Sequence, residues 1–377
     1  MANTLTNLIP DVYAALDVVS RELVGAIPGV NRDARADRLA TNQTLRSPVA
    51  PVNTTSTYTP SMAIPSAIDQ TFTNKQLTLS KNKYAGFSWT GEEEYGMDQG
   101  PGVLSMQQDQ IAQAFRVLVN EMENDVCDAL AAGASRAYGT AGTAPFGSNL
   151  GDSAQVRKIL DDNGAPASGR SMVIDTAAGA NLRTLQQLTK ANEAGSTMTL
   201  RDGELLNVHG FSIRESAQIN NATAGGGGGY LVDDAGGLAA GTTEIPVDTG
   251  SGTILAGDIV TIGNHKYVVE TALSGSEFFI AAPGLQEAVA DNTAVTVNAD
   301  SSRNLAFSSD ALTLATRLPV FPSQGDLAID SEVITDPRTG ISFDLRVYPG
   351  DGMVLYRLHA LWGWVVNKPE HAAVLLG

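Results

Sequence analysis

The feature that most constrains this chain is a long amphipathic segment at residues 104–134. Apolar residues recur there every three or four positions, which is the spacing of one face of an α-helix, and Gln, Asn and Glu residues lie opposite. At about 1.5 Å per residue, the segment predicts a straight helix of about 45 Å. Its apolar face has to be buried by another part of this chain or by a neighbour. The stripe consists of Ile111, Phe115, Leu118, Met122, Val126 and Leu130.

Two short alternating runs precede the long helix, over residues 70–97. Leu77 and Leu79 share one face of the first run, and Phe87 and Trp89 share one face of the second. Alternation of this kind predicts two strands, and the short break between them predicts a β-hairpin. Since an isolated hairpin is marginally stable in water, we expect it to lie on a partner.

The N-terminal region predicts a short helix followed by an extended arm. Over residues 10–27 the apolar residues follow helical spacing, and their stripe is too narrow and too interrupted to span a membrane. Residues 28–66 are rich in Pro, Asn, Ser and Thr, which predicts irregular chain. Because such a long irregular segment is unusual inside a compact domain, we expect an arm that reaches over another subunit. The helical stripe contains Val12, Leu16, Val19, Leu23 and Ile27.

Mixed helix and strand patterns follow the long helix. Residues 152–215 predict a helix, a short apolar strand at 171–175 and a second helix over 177–190. Residues 303–377 predict an alternating strand, a turn and a long return strand over 353–366. Together with the long helix, these patterns predict an α+β fold.

Residues 222–301 differ in composition from the rest of the chain. The segment opens with five glycines at 225–229, shows no helical pattern and carries ten acidic residues against one basic residue, Lys266. About half of the net charge of −17 therefore lies there. Several short strand patterns predict a separate, small, all-β, barrel-like domain. The predicted strands are 230–232, 243–247, 259–262, 267–270, 278–281 and 294–297.

Composition disfavours several functions. Lys and Arg number 24 against 41 Asp and Glu, whereas a protein that neutralises DNA phosphates needs the opposite balance. The same sign disfavours adsorption to an anionic membrane. The single cysteine, Cys127, leaves no internal disulfide, and no apolar run approaches the roughly 18 residues of a membrane span. With no signal sequence at the N-terminus, we expect a protein kept in a reducing cytoplasm.

The sequence carries no catalytic or metal-binding motif. Its four histidines do not pair at metal-ligand spacing, and the HExxH, CxxC and GxSxG patterns are absent. The glycine run at 225–229 lacks the lysine of a phosphate-binding loop and is interpreted as a flexible hinge. We therefore predict a structural protein rather than an enzyme, with no catalytic residues, metal or cofactor.

The order of these elements resembles the major capsid proteins of tailed double-stranded DNA bacteriophages, which have the HK-ninety-seven-like fold. Within that family the likeness is greatest to the P-twenty-two-type coat proteins, which carry an inserted β domain. The runs at 253–262, 304–311 and 360–370 resemble a barrel strand, the re-entry into the body and the closing strand of that family. The resemblance implies seven segments: N-terminal arm 1–66, extended loop hairpin 67–103, spine helix with part of the peripheral domain 104–151, axial domain 152–221, inserted acidic β domain 222–301, axial return 302–325 and peripheral C-terminal hairpin 326–377.

The resemblance implies a structural function. The chain would assemble with a scaffolding protein into an icosahedral procapsid, which matures into the shell that encloses packaged double-stranded DNA. The implied partners are other copies in hexamers and pentamers, a scaffolding protein, a portal protein and a decoration protein, with no membrane and no sequence-specific DNA binding. It would be a late protein, assembled in the bacterial host cytoplasm. Because the arm helix begins near residue 10, a separate scaffolding protein is expected. A lysine–asparagine crosslink is not, because its asparagine and activating acid are unmatched.

The resemblance also suggests which residues contact neighbouring subunits. We expect the lysines at the hairpin tip to meet acids of a neighbour, and the three consecutive glutamates to meet arginines. The candidates are Lys81, Lys83, Phe87, Trp89, Glu92, Glu93 and Glu94 for contacts, Val12, Leu16, Val19 and Leu23 for arm docking, and Gly100 and Gly102 as hinges.

The second interpretation of the sequence is a phage tail or baseplate structural protein with a β insertion. An adhesin or carbohydrate-binding module comes third and a hydrolase last.

Overall fold

The computed structural model describes residues 24–32, 40–49, 57, 59–62, 73–98, 103–189, 207–322, 325–336 and 340–377. This part of the chain contains both helices and strands, which confirms the predicted α+β class. The helices are α1 Gly91–Asp98, α2 Val103–Ala132, α3 Gly151–Asp162, α4 Thr176–Thr184 and α5 Gln186–Thr189. The strands are β1 Asn31–Arg32, β2 Thr44–Val49, β3 Thr73–Thr78, β4 Lys81–Thr90, β5 Arg136–Tyr138, β6 Arg170–Ile174, β7 Ser212–Glu215, β8 Asn221–Ala222, β9 Tyr230–Val232, β10 Glu244–Asp248, β11 Ile259–Ile262, β12 His265–Ser274, β13 Glu277–Ile280, β14 Ala294–Val297, β15 Ser301–Ser308, β16 Leu312–Arg317, β17 Asp330–Thr335, β18 Ser342–Pro349, β19 Met353–Val366 and β20 Ala372–Leu376.

The long helix α2 forms where the sequence predicts it and lies at the centre of the main core. Its whole apolar stripe is buried, from Ile111 to Leu130. The core around it includes residues from two different sheets. Phe115 meets Phe343 of β18 edge to face, with ring centroids 5.2 Å apart, which is a favoured aromatic geometry. The face that the sequence left uncovered is therefore covered largely by this chain itself.

The first sheet is built around the fourteen-residue strand β19. The strand order is β1-β16-β19-β18-β17, and β4 runs along the other edge of β19. The predicted C-terminal hairpin is present: β18 and β19 pair antiparallel from Pro349↔Val354 to Asp344↔His359. One face of this sheet packs on α2, with Trp362 fully buried.

The second sheet is buried on both faces, and its strands follow the order β5-β20-β15-β6-β7. Alternate residues of a strand point to opposite faces. Phe307 and Val374 accordingly face the core around α2, whereas Ala306 and Leu375 face a second core with α3 and α4. Burial on both faces explains the continuous apolar run of β20, since a strand of this kind has no solvent-facing side.

Strands β9 to β14 form a closed, barrel-like ring. Their order is β11-β14-β9-β10-β13-β12, and β12 pairs again with β11. All six strands were predicted to within a few residues at each end. Their side chains enclose a core of their own, and β12 also pairs with β5 through Lys266↔Ala137. At the base of this acidic barrel, β8 and β15 pair, so that Ala222 lies opposite Ser301. The ends of the segment 222–301 therefore meet in one antiparallel pair.

The hairpin predicted over 70–97 does not form. Strand β3 pairs antiparallel with β2, which belongs to the predicted arm, and β4 pairs with β19 along its whole length. Alternation located both strands correctly, but it indicates which face of a strand is buried and carries no information about the neighbouring strand. Strands β2 and β3 instead form a separate two-stranded ribbon. Leu77 and Leu79 at its base pack against Ala315 and Leu361 of the first sheet.

Two of the predicted segment boundaries also differ from the structure. The segment 302–325 was assigned to one domain, but β15 lies in the second sheet and β16 in the first. The segment 326–377 is divided in the same way, because β20 returns to the second sheet after the turn at Pro369–His371. Both crossings are short, and the sequence has no composition shift that would mark them.

The glycine run at 225–229 is packed rather than a free hinge. Gly228 and Ser251 exchange two backbone hydrogen bonds of 2.9 and 3.0 Å. A Cβ atom at Gly225 would lie only 2.3 Å from the carbonyl oxygen of Thr253, and one at Gly227 would lie 2.8 Å from it. These glycines are therefore needed where two stretches of backbone approach closely.

Candidate functional site

The predicted contact lysines lie at the start of β4, on the side that faces α2. The Nζ atom of Lys81 lies 3.3 Å from Oδ1 of Asp125, and the Nζ atom of Lys83 lies 3.3 Å from Oε1 of Glu121. Their expected position at a hairpin tip is wrong, and the acids beside them belong to the same chain. Both lysines are partly exposed, so each pair contributes at most about 1 kcal/mol.

Phe87 and Trp89 share one face of β4, as predicted, and that face turns towards this chain. The ring of Phe87 stacks on Tyr356 of β19, with centroids 5.0 Å apart. Trp89 is buried, and its indole N–H donates to Oε1 of Gln110 on α2 at 2.7 Å. Trp89, Val347 and Tyr356 form a small apolar cluster. The apolar face that was expected to need a neighbour is covered within the chain, with Trp89 buried and Phe87 half-buried.

The three consecutive glutamates lie on helix α1, and not on a strand. The backbone N–H of Thr90 donates to Oε2 of Glu93 at 2.9 Å, and the N–H of Glu93 donates to the Thr90 hydroxyl at 3.3 Å. This reciprocal pair is a capping box, which starts the helix. These bonds to Thr90 lower the pKa of Glu93. The pattern Thr-x-x-Glu at 90–93 was the sequence signal that could have located the helix start. Glu92 is exposed and Glu94 half-buried, so their contact role stays a prediction.

The remaining predicted site residues lie outside the described part of the chain. They are the arm-docking candidates Val12, Leu16, Val19 and Leu23 and the hinge candidates Gly100 and Gly102. Their roles stay predictions.

An exposed apolar edge of the first sheet was missed by the sequence reasoning. In the described part of the chain, β17 pairs with β18 alone and forms the end of the sheet. Three large apolar side chains beside or on it are strongly exposed: Leu327 at 83%, Ile329 at 64% and Val333 at 51%. Ile334 points into the core, so its neighbour Val333 points to the opposite face of the sheet. We call Leu327, Ile329 and Val333 the β17 edge patch.

The β17 edge patch and the ribbon β2–β3 differ in charge. Asp330 and Glu332 flank the patch and residues 325–335 contain no base, whereas Asp326 is paired with Arg346 of β18 at 3.0 Å. The ribbon strands carry Arg46 and Lys75 and no acid. The position of β17 at the end of its sheet could not be read from the sequence, because nothing in the strand itself indicates that, among the described strands, β18 alone pairs with it.

A cleft of about 630 Å³ lies between the acidic barrel, β5 and α3. Two of its basic residues, Lys266 and Arg136, hold these elements together. Lys266 donates to the carbonyl oxygen of Gly139, and burial lowers the pKa of Lys266. Arg136 lies 3.5 Å from Asp162 and donates to Asn163 at 3.0 Å. The cleft is therefore a junction between the barrel and the body.

Within the described ranges, no three His, Cys, Asp or Glu side chains group closely enough to hold a metal ion. Cys127 is a buried residue of α2, and its burial raises the pKa of the thiol. None of the helices described combines the length and the apolarity that a membrane span requires.

Comparison with known proteins gives a likeness of structure alone. No family model matches the sequence, and no curated protein matches it. A chain in a solved structure of Mycobacterium phage Che8 matches at a TM-score of 0.54 and 16% identity, over 93% of this chain and 90% of that one. This chain therefore shares its fold with a phage protein. Two further solved structures are similar at lower TM-scores. The "capsid structure of the Cyanophage P-SCSP1u" matches at 0.49 and 13% identity, over 92% of this chain and 85% of that one; the "asymmetric unit of bacteriophage PhiM1 mature capsid" matches at 0.47 and 12%, over 89% and 82%.

Proposed function

We propose that this chain is the major capsid protein of a tailed phage, which associates with copies of itself into a closed shell around double-stranded DNA. The observation that carries the proposal is the fold shared with a Mycobacterium phage Che8 chain along 93% of the sequence. The resemblance of its element order to the HK-ninety-seven-like capsid family supplies the functional class. The net charge of −17 supports a container, because strong attraction to DNA would oppose its packaging and release.

We propose further that the acidic barrel is an insertion of the P-twenty-two type. Its closed ring and separate core support this, as does the antiparallel pair between Ala222 and Ser301 at its base. A segment whose two ends lie side by side can be added to a body without separating the strands on either side of it. With ten acids against one base, the barrel would help to keep assembled shells soluble.

The β17 edge patch and the ribbon support a specific route of association. A sheet edge with unpaired backbone groups can accept another strand, and burial of exposed apolar side chains stabilises the contact non-directionally. Asp330 and Glu332 beside the patch are complementary in charge to Arg46 and Lys75 on the ribbon. In the proposed shell, the ribbon of one copy lies on the β17 edge patch of the next. Such charge complementarity sets the register of the contact more than its strength.

The remaining family properties enter the proposal as expectations. A separate scaffolding protein would guide assembly, a portal protein would occupy one vertex, and a decoration protein would bind outside. Maturation would be a rigid-body rearrangement of a shell with two stable states, with bending near Gly100 and Gly102. Glu92 and Glu94 would meet arginines of a neighbouring copy.

Electron microscopy of the purified full-length chain, expressed with and without its scaffolding protein, tests the proposal. Shells or related closed particles are the expected result. Tubes in place of shells would favour the alternative, a tail or baseplate structural protein. A chain that stays monomeric at high concentration under both conditions would overturn the proposal.

A further inference from the structure

A buried carboxylate on the long helix holds the backbone of the N-terminal segment. Oε1 of Glu123 accepts hydrogen bonds from the N–H groups of Gly25 at 2.7 Å and Ala26 at 2.6 Å. Oε2 accepts a third from the N–H of Ile27 at 2.9 Å. Glu123 is fully buried, and Ser216 bonds its side chain as well. A carboxylate is usually placed in a core only when its acceptor sites are filled, and here backbone donors fill most of them.

The same segment lies unusually close to the second sheet. A Cβ atom at Gly25 would lie 2.7 Å from Cγ1 of Val173 on β6. A Cβ atom at Gly29 would lie 3.0 Å from both the Phe307 ring and the Ser171 hydroxyl. Two glycines four residues apart thus let this backbone pack against the sheet, while α2 covers it from the other side.

Beyond the glycines, the segment crosses to the first sheet. The N–H of Asn31 donates to the carbonyl oxygen of Ser309 at 2.9 Å. Strand β1 then pairs in parallel with β16, with Asn31 opposite Thr313 and Arg32 opposite Leu314. Ala26, Ile27 and Val30 are buried in the shared core between the two sheets. Residues 24–32 therefore touch both sheets and the helix between them.

From this geometry we infer that residues 24–32 form a strap that couples the two sheets, and that Glu123 is the clasp which holds the strap on α2. Because the clasp acts on backbone N–H groups, it requires no polar side chain on the strap. Burial raises the pKa of Glu123, and the hydrogen bonds from the three N–H donors oppose this rise. Placing a carboxyl at this buried position therefore costs solvation free energy.

The clasp is tested by hydrogen exchange on the full-length chain, with Glu123→Gln as the main variant. A glutamine amide can replace only one of the two acceptor oxygens, so an N–H₂ group would face a backbone N–H donor. Glu121→Gln is the matched control, since it removes the same charge from the same helix at a half-exposed site that pairs with Lys83. Gly25→Ala loosens the strap from the opposite side and leaves Glu123 intact.

We expect the amides of residues 25–27 to exchange at least about tenfold faster in Glu123→Gln and in Gly25→Ala, while peptides from β20 keep the wild-type rate. Glu121→Gln should behave as wild type. The inference is overturned if residues 25–27 keep wild-type protection in Glu123→Gln, or if β20 loosens equally. It is also overturned if these amides are unprotected in the wild-type chain, a result that needs no variant to fold.

A consequence for assembly rests on the proposed function. If the strap couples the sheets during shell formation, Glu123→Gln should lower the yield of shells, whereas Glu121→Gln should not. A wild-type yield of shells from a chain with a loosened strap would show that the strap has no role in assembly. The inference that Glu123 holds the strap on α2 would be unaffected. Failure of the wild-type chain to form shells would count against the proposed function, and the exchange result would be unaffected.

Discussion

The indole N–H of Trp362 donates a hydrogen bond to Oδ2 of Asp125 at 2.9 Å, although the two residues lie 237 positions apart in the sequence. Asp125 also lies 3.3 Å from Lys81 through its other oxygen. One carboxylate on α2 therefore connects β19 and β4, the two longest paired strands of the first sheet. It is one polar contact between the long helix and this sheet, beside the apolar core that they share.

Replacement of Asp125 by alanine is expected to destabilise the monomer. The indole N–H of the fully buried Trp362 would lose its acceptor, which costs about 1–3 kcal/mol in the free energy of unfolding. Urea unfolding, followed by tryptophan fluorescence, measures the change. Glu121→Ala is the control, because it removes only the partly exposed pair with Lys83 and should cost less than about 1 kcal/mol. Equal effects of the two substitutions would contradict the role given to Trp362.

Local patterns in the sequence were sufficient for some of these elements. Helical periodicity predicted the apolar stripe of α2, and short apolar strand patterns predicted the six strands of the acidic barrel. In both regions the spacing of the apolar residues alone was a sufficient signal. The β18–β19 hairpin was predicted because its turn and both of its strands are adjacent in the chain. Elements of this kind can be predicted from the pattern of their own residues and of those next to them in the chain.

Pairings between distant segments could not be predicted in the same way. The β4 strand was located correctly, but nothing near it indicates that its neighbour is β19. The partners of Lys81 and Lys83 were therefore sought on another subunit, whereas they lie on α2. The clasp at Glu123 was invisible for the same reason, since its bonding partners are backbone groups 96 to 98 residues away.

The β17 edge patch gives a direct test of the proposed association. Introduction of lysine at both Leu327 and Val333 removes exposed apolar surface and opposes the basic ribbon. We expect shell yield to fall at least about tenfold, while the unfolding free energy changes by no more than about 0.5 kcal/mol, since both sites are exposed. Val117→Lys is the control, because Val117 is 56% exposed and belongs to α2 and not to the β17 edge patch. Particle counts by electron microscopy measure the yield of shells. A normal yield, or an equal loss in the control, would show that the β17 edge patch is not a contact between copies.

The acidic side chains of α1 require a variant that spares the helix cap. Glu93 holds the capping box with Thr90, so Glu92→Lys combined with Glu94→Lys reverses charge and leaves the cap intact. If these glutamates meet arginines of a neighbour, assembly should fail while the circular dichroism spectrum stays that of the wild type. Asp233→Lys with Asp234→Lys makes the same charge change on the acidic barrel. Sedimentation velocity separates shells from monomers, and wild-type assembly of the α1 variant would rule out the contact.

The acidic barrel can be removed with a designed closure. Since Ala222 and Ser301 lie opposite each other in an antiparallel pair, an Asn-Gly turn can replace residues 223–300. We expect the helical signal of the body to persist with reduced stability, because Ile259 and Val268 of the barrel contribute to the core around α2. Circular dichroism and thermal unfolding measure both effects. Complete loss of the helical signal would mean that the body does not form without the barrel, contrary to an insertion.

The ion pair between Asp161 and Arg170 predicts a pH dependence of defined sign. Oδ1 of Asp161 lies 2.7 Å from the Arg170 side chain, which is almost fully buried. Desolvation acts to raise the pKa of Asp161, but the bonds and charges of Arg170 and Arg157 outweigh it and lower that pKa below its usual 3.8. A carboxyl with a lowered folded-state pKa contributes stability above its unfolded value and loses it as pH falls through the folded value. The unfolding free energy of the wild type should therefore exceed that of Asp161→Asn at pH 6, and the difference should shrink as the pH falls below about 4. Urea titrations of both proteins between about pH 6 and about pH 3 measure this difference, and arginine stays charged throughout that range. A difference that stays constant across the series would show that the carboxylate charge of Asp161 contributes nothing to the fold.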